Sequence, residues 1–250
     1  MRPVSPRTLV VALLTVAATL LAPAVAGAQE STTTVAPGTP VAPPSAPAPV
    51  PVGPTGLALL GPTLAAGSTG IEVAFVQFTL LRRGFWVSEQ LGRFGESTRH
   101  AVVAFQKYYG LPRTGKIDFW TRIGLAVSLQ RATPLRAAAG HRIDVDLARQ
   151  VMVIATDGNV DGVFDISSGK RSTPTPRGSF RLQREIKGRR VSKLGVLISP
   201  KYFTGGYAIH GSPSVPAHAA SHGCVRLTNQ TIAYLWGSGL IPLGTPITIG

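Results

Sequence analysis

A single cysteine, Cys224, stands in Ser221-His222-Gly223-Cys224-Val225-Arg226-Leu227, and His210 lies fourteen residues upstream in Tyr207-Ala208-Ile209-His210-Gly211-Ser212. His210, His218 and His222 are three of the chain's five histidines. A thiol beside imidazoles suits nucleophilic catalysis, because the thiolate is the nucleophile and a free cysteine, with a pKa of about 8.5, is only a few per cent ionised at pH 7. Complete ionisation would raise the thiolate population at most about 30-fold, or ~2 kcal/mol, partly offset by lower nucleophilicity. A backbone donor aimed at a developing oxyanion contributes about 3 to 4 kcal/mol, so the geometry around Gly223 should matter as much as the base. Two other readings fit the same residues. Cys224 as a small buried apolar side chain is one. The other is tetrahedral zinc held by His210, His218, His222 and Cys224, although their spacing matches no common zinc pattern.

The compartment bears on that choice. Arg2 and Arg7 precede an apolar run from Thr8 to Leu21, and small residues follow at Ala24-Val25-Ala26-Gly27-Ala28. This order is that of a secretory signal over residues 1–28, with cleavage after Ala26 or Ala28 expected and retention as an uncleaved membrane anchor the alternative. The run is short of the roughly 20 residues a spanning helix needs, and Pro23 interrupts it, so membrane contact is expected through the signal alone. No cysteine near it offers a site for lipid attachment. Outside the cytoplasm an unpaired cysteine is a candidate reactive thiol. The formal charge is +14, which cleavage lowers by two, and such a protein concentrates on anionic surfaces such as cell walls. No nucleic-acid-binding motif is present, and no nucleic acid partner is expected.

The thiol window must be positioned by folded elements, and these begin late. From Ser31 to Ile71 there is no charged residue, and prolines recur from Pro37 to Pro62. Residues 29–63 therefore read as a stiff, extended tether. Thr69-Gly70-Ile71-Glu72 offers a capping box, with Thr69 as N-cap, for a helix whose apolar face is Ile71, Ala74, Phe75, Phe78 and Leu81. A second helix should start near Ser97 or Thr98, bury Ala101, Val102, Phe105 and Tyr108, and stop at Gly110. Asp118 should cap a third carrying Trp120, Ile123 and Val127.

After Ala139 the period changes. Ile143, Val145 and Leu147 alternate with polar residues, and short apolar runs follow at Val151–Ile154, Val163–Ile166, Phe180–Leu182, Val196–Ile198 and Pro246–Ile249, with a turn at Asp157-Gly158-Asn159. Only Thr228 to Trp236 reads as a helix here. The expected class is an α+β multidomain chain. A small three-helix module (64–130) precedes a β-rich, sandwich- or barrel-like domain (140–250).

Two resemblances rest on these residues. Gly67-Ser68-Thr69-Gly70, Val76-Gln77, Leu81, Gly84-Phe85, Phe94-Gly95, Thr98, Ala101-Val102, Phe105-Gln106, Gly110-Leu111 and Gly115 resemble the three-helix peptidoglycan-binding module of wall enzymes, with Leu91-Gly92-Arg93 where an aspartate-glycine pair is usual. Ser172–Phe180, Ile209–Ser212 and Ser221–Leu227 resemble, in order, the blocks of the L,D-transpeptidases, cell-wall cross-linking enzymes. The interval from His210 to Ser221 is shorter than usual, and Arg226 stands where several members have asparagine.

This second resemblance implies Cys224 as nucleophile, His210 as its base, and Gly211 and Ser212, through carbonyl or hydroxyl, as the groups that orient His210. It implies the backbone N–H groups of His222, Gly223 and Cys224 as oxyanion donors, with Arg226, Tyr207 and Ser221 contacting substrate. Arg226 would grip a carboxylate, unless it forms a structural salt bridge. The implied reaction attacks the third residue of a tetrapeptide stem, expels the terminal D-alanine and passes the acyl group to an amine, without metal or other cofactor. Stem peptides and glycan are the implied partners, and carbapenem-type β-lactams the implied covalent inhibitors. A carboxypeptidase that uses water as acceptor and a non-catalytic wall-binding protein are the alternatives.

Overall fold

The computed structural model describes residues 60–128, 130–193 and 195–250. The expected signal, and the expected tether apart from residues 60–63, lie outside the described residues.

Three helices open the fold: α1 (Ile71–Arg82), α2 (Glu96–Tyr109) and α3 (Phe119–Val127). Helix α1 corrects the capping box. Its N-cap is Gly70, at φ 113°, with no side-chain cap, while Thr69 bridges Arg93 and the Glu72 carboxylate pairs with Arg122. The buried face also differs. Val73, Val76, Gln77 and Leu80 point inward, whereas Ile71, Phe75 and Phe78 are exposed. Both stripes satisfy helical spacing, so periodicity could not choose between them. Helix α2 begins one residue before the expected start and ends at Gly110 in the left-handed conformation, with Ala101, Val102 and Phe105 buried and Tyr108 half-buried. Asp118 caps α3 by accepting from the Thr121 N–H, yet Trp120 and Val127 are exposed while Leu125 and Ala126 are buried.

Two buried glutamines tie this layer together. Gln77 donates to the Arg93 carbonyl and Thr98 Oγ1 and accepts from the Gly92 N–H. Gln106 donates to the Lys116 carbonyl and Thr121 Oγ1 and accepts from the Gly115 N–H. Each thereby satisfies loop backbone that would otherwise be buried unpaired.

Two mixed five-stranded sheets follow. In the first, β1 (His141–Asp146), β2 (Val151–Thr156), β3 (Asn159–Asp165), β4 (Gly178–Arg181) and β10 (Pro246–Ile249) lie in the order β3-β2-β1-β10-β4, with β1 and β10 parallel. In the second, β5 (Arg184–Glu185), β7 (Gly195–Thr204), β8 (Tyr207–Ser212) and β9 (Val225–Thr228) lie in that order, and β6 (Arg189–Ser192) also pairs with β7. Thr228 caps α4 (Asn229–Ser238), accepting from the Thr231 N–H.

The first sheet is covered on both faces, which explains the unbroken apolar run in β2. Val151 and Val153 join Val73, Val76, Leu80, Phe85 and Phe105 in one core. Met152 and Ile154 face the other way, into a core with Phe203, Ile209, Val225 and Leu227 of the second sheet and Ile232 and Leu235 of α4. The layers are thus helices, first sheet, second sheet. The sandwich expectation holds, and the helices share a core with the sheet instead of standing apart from it.

Candidate active site

The parallel pair β8–β9 sets the site. Its register places His210 opposite Arg226 and Ile209 opposite Val225. Side chains alternate along a strand, so Ile209, Val225 and Leu227 enter the core while His210 and Arg226 face the other side. Cys224, one residue before β9, packs on that same outer side with Ala208, Leu197 and Tyr202. His210, Ser212, His222, Cys224 and Arg226 all line one open groove of about 580 Å³. Cys224 is half-buried and unpaired, so the thiol is neither sealed in apolar packing nor far from the imidazole's wall.

His210 is 5 % exposed, and its Nδ1 donates to the Gly211 carbonyl oxygen at 2.8 Å, which leaves Nε2 as the acceptor. Of the two groups expected to orient the imidazole, Gly211 is the one hydrogen-bonded to it among the described residues. The Ser212 hydroxyl donates to the Ser214 carbonyl at 3.1 Å and accepts from the Ser214 N–H, organising the next loop instead.

A standing thiolate–imidazolium pair is not supported. Burial pushes the Cys224 thiol up, against a backbone hydrogen bond from Ala208 and the positive field of Arg226. Burial pushes the His210 imidazole down, aided by Arg226 and opposed by the Gly211 carbonyl. Each group is thus pushed away from its charged form. The thiol lies 3.9 Å from the Gly206 carbonyl oxygen, and no hydrogen bond joins it to His210 among the described residues. Such contacts often tighten only with substrate present.

The loop before Cys224 is held by Ser221, which is 1 % exposed. Its hydroxyl donates to the Cys224 carbonyl oxygen at 2.5 Å and accepts from the Gly223 N–H at 3.0 Å. Ser221 thus braces the loop through its hydroxyl, and the Gly223 N–H is engaged by that same hydroxyl. Gly223 sits at φ 110°, and a Cβ there would lie 2.4 Å from Tyr207 Cε1. The position therefore demands glycine on both conformational and steric grounds, and Tyr207 acts as a wall against the loop. The block Ser172–Phe180 also supports this loop: Thr173 Oγ1 donates to the Ser221 carbonyl at 3.1 Å.

Arg226 has no carboxylate within salt-bridge distance among the described residues, so the salt-bridge alternative is not realised. Arg184, Arg190 and Lys193 line the same groove, with Arg184 stacked 3.6 Å over the Tyr202 ring. No motif singled out these three. Their signal was the basic run from Arg181 to Lys193, which no periodicity assigned to a face. His218 and His222 are exposed, and no group of three or more His, Cys, Asp or Glu side chains among the described residues converges to hold a metal. The zinc arrangement is not formed.

Known proteins are similar to this chain over both its helical and its β-rich parts. Residues 140–249 match the family model of the L,D-transpeptidase catalytic domain, and residues 69–122 match that of a peptidoglycan binding domain. A solved L,D-transpeptidase from Xylanimonas cellulosilytica is 36 % identical with TM-score 0.69, over 81 % of this chain and 99 % of that one. One from Stackebrandtia nassauensis is 20 % identical with TM-score 0.45, over 74 % and 93 %. A mutant enzyme from Enterococcus faecium is 26 % identical with TM-score 0.39, over 44 % and 50 %. No curated protein matches the chain.

Proposed function

The chain belongs to the L,D-transpeptidase family, and from that premise we propose that it is an exported, cysteine-dependent acyltransferase that cross-links peptidoglycan stem peptides in the cell wall or periplasmic space. The observation that carries this reading is the shared wall of one groove: Cys224, His210 with its Nδ1 tied to Gly211, and Arg226, which has no salt bridge among the described residues. The lining cations Arg184, Arg190, Lys193 and Arg226 support an anionic ligand, and a stem peptide carries several carboxylates.

In this mechanism Cys224 Sγ attacks the carbonyl of the third stem residue while His210 Nε2 takes the thiol proton. The N–H groups of His222 and Cys224 receive the oxyanion. The amide bond breaks, the D-alanine nitrogen leaves with the proton from His210, and a thioester remains on Cys224. An acceptor amine then attacks, its proton passes to His210, and the C–S bond breaks to release the cross-link and return the thiol. Burial disfavours the charged form of both groups, which favours proton transfer concerted with attack in this mechanism. The helical layer would bind the glycan. Carbapenem-type β-lactams would acylate the same sulfur, adding one drug mass at Cys224 and none in Cys224→Ala.

The test is incubation of the protein with disaccharide-tetrapeptide fragments followed by mass spectrometry. Cross-linked dimer plus free D-alanine is expected, with Cys224→Ala abolishing both while wall binding persists. Tripeptide without dimer would instead mean a carboxypeptidase, and unchanged fragments a wall-binding protein.

A further inference from the structure

Helix α2 carries a lysine that the chemistry above does not use. Lys107 is fully buried, and its Nζ pairs with Asp165 Oδ1, itself on a side chain only 2 % exposed. The same Nζ donates to the Ile166 carbonyl oxygen at 2.7 Å. His100, about two turns earlier in α2, places Nδ1 2.6 Å from Asp165 Oδ2, and its Nε2 lies 3.0 Å from Glu96 Oε1. Two side chains of the helical layer thus close on the last residue of β3. A buried lysine is costly unless paired and hydrogen-bonded, so a simple apolar contact would have held the layers together at less expense.

The segment after Asp165 explains the placement. The chain from 166 to 170 runs along the back of the thiol loop and is bonded to it nearly residue by residue. Ser167 and Arg226 exchange both backbone hydrogen bonds, at 3.1 and 3.0 Å. The Ser168 carbonyl accepts from the N–H groups of Ala220 and Ser221, each at 2.9 Å, and the Lys170 N–H donates to the Ser221 carbonyl at 3.0 Å. Ser167 Oγ donates to the His218 carbonyl at 2.7 Å. From the other side Gln150 holds Ser168, accepting from its N–H at 2.8 Å and donating to its hydroxyl. Segment 166–170 is therefore a rail, fixed to the thiol loop in front and gripped at its start by Lys107.

We propose that Lys107, with Asp165 and His100, is a positioning unit through which the helical layer sets the geometry of the Cys224 loop, so that this layer is part of the catalytic scaffold as well as a wall-binding module. The inference rests on the reading of Cys224 as nucleophile. Lys107 touches no reacting atom. It acts by fixing the Ile166 carbonyl, hence the register of 167–170, hence the direction of the N–H groups around Cys224. An error of about 1 Å at such donors is enough to cost on the order of 100-fold in rate.

The experiment uses the full chain and two variants, Lys107→Met, which keeps the stem and loses the donors, and Lys107→Met/Asp165→Asn, which also removes the stranded buried charge. Turnover of a soluble disaccharide-tetrapeptide, iodoacetamide alkylation of Cys224 and amide exchange at 220–226 are measured. The expected result is a loss of at least tenfold in kcat with KM within twofold, an altered alkylation rate, and faster exchange at 220–226 in folded protein. A folded variant with kcat and exchange within twofold of the original overturns the proposal. Should neither variant fold, exchange in the unaltered chain under mild urea decides. Joint loss of protection in α2 and at 220–226 supports the coupling, and loss in α2 with 220–226 still protected overturns it. If the unaltered chain fails to turn over the stem, the transpeptidase reading fails, while alkylation and exchange still test the positioning.

Discussion

His210 and Arg226 stand directly opposite each other on neighbouring parallel strands, a base and a permanent cation on one face. The guanidinium lowers the imidazole's proton affinity and adds to the effect of burial. It also favours the thiolate form of Cys224, but burial outweighs it there.

A pH profile follows from these directions. With the imidazole below its ordinary value of about 6.5, His210 is already the neutral base at pH 6.5, so the acid limb of kcat/KM should fall below that pH. With the thiol raised, thiolate accumulates only in the alkaline range. Iodoacetamide alkylation of Cys224 should therefore be slow at pH 7 and still climbing at pH 9. A plateau already reached by pH 6, the mark of a standing ion pair, would contradict this account.

Arg226→Gln removes the cation without removing the side chain's reach. A charged hydrogen bond to a carboxylate contributes about 1.5 to 3 kcal/mol, which is roughly a ten- to hundredfold loss of kcat/KM. Kinetics on the soluble tetrapeptide fragment should show the loss, with weaker salt dependence than the original protein. The melting temperature should barely change, since Arg226 holds no structural ion pair among the described residues. A large drop in stability with unchanged kcat/KM would assign Arg226 to the scaffold.

Ser221→Ala removes both side-chain hydrogen bonds that shape the thiol loop. Leaving the Gly223 N–H and the Cys224 carbonyl without partners costs about 1 to 3 kcal/mol, or a few degrees of melting temperature for each kcal/mol in a chain of this size. Activity should fall more than stability, because the N–H groups proposed as oxyanion donors flank the loosened bonds. Calorimetry beside turnover separates the two. Full activity in Ser221→Ala would show that the loop holds its shape without this hydroxyl.

A chain beginning at residue 140 would uncover Val151, Val153, Val160 and Val163, which the helices bury. At about 1.5 to 3 kcal/mol per buried aliphatic side chain, this amounts to roughly 6 to 12 kcal/mol, against a typical stability of about 5 to 15 kcal/mol. The truncated chain should aggregate or bind a hydrophobic dye. A monomeric product with a sharp, cooperative melt would mean that the sheet closes by itself.

Chemistry and periodicity were legible in the residues themselves. A lone cysteine in a histidine-glycine context, the alternation of Ile143 and Val145, the left-handed cap at Gly110 and the side-chain cap at Asp118 are local features that folding kept, whereas the capping box at Thr69 gave way to a bridge with Arg93 and an ion pair of Glu72 with Arg122. The stripes Ile71-Phe75-Phe78 and Val73-Val76-Leu80 satisfy the same helical period, so only the packing of α1 against α2 and the sheet decided which is inside. Whether Ser221 faces a substrate or its own loop was equally undecidable from spacing, because a hydroxyl serves either purpose and its partners lie elsewhere in the fold. The strands of the site, β8 and β9, were hidden inside their motif residues. Arg184, Arg190 and Lys193 acquired a shared groove only when β5, β6 and β7 brought them there. Residue types and their local order thus say which atoms can react and which segments can be regular. Which of them meet is a property of the folded chain, because burial and hydrogen-bond pairing depend on neighbours distant in sequence. The grip of Lys107 on Asp165, 58 residues away, is the plainest case.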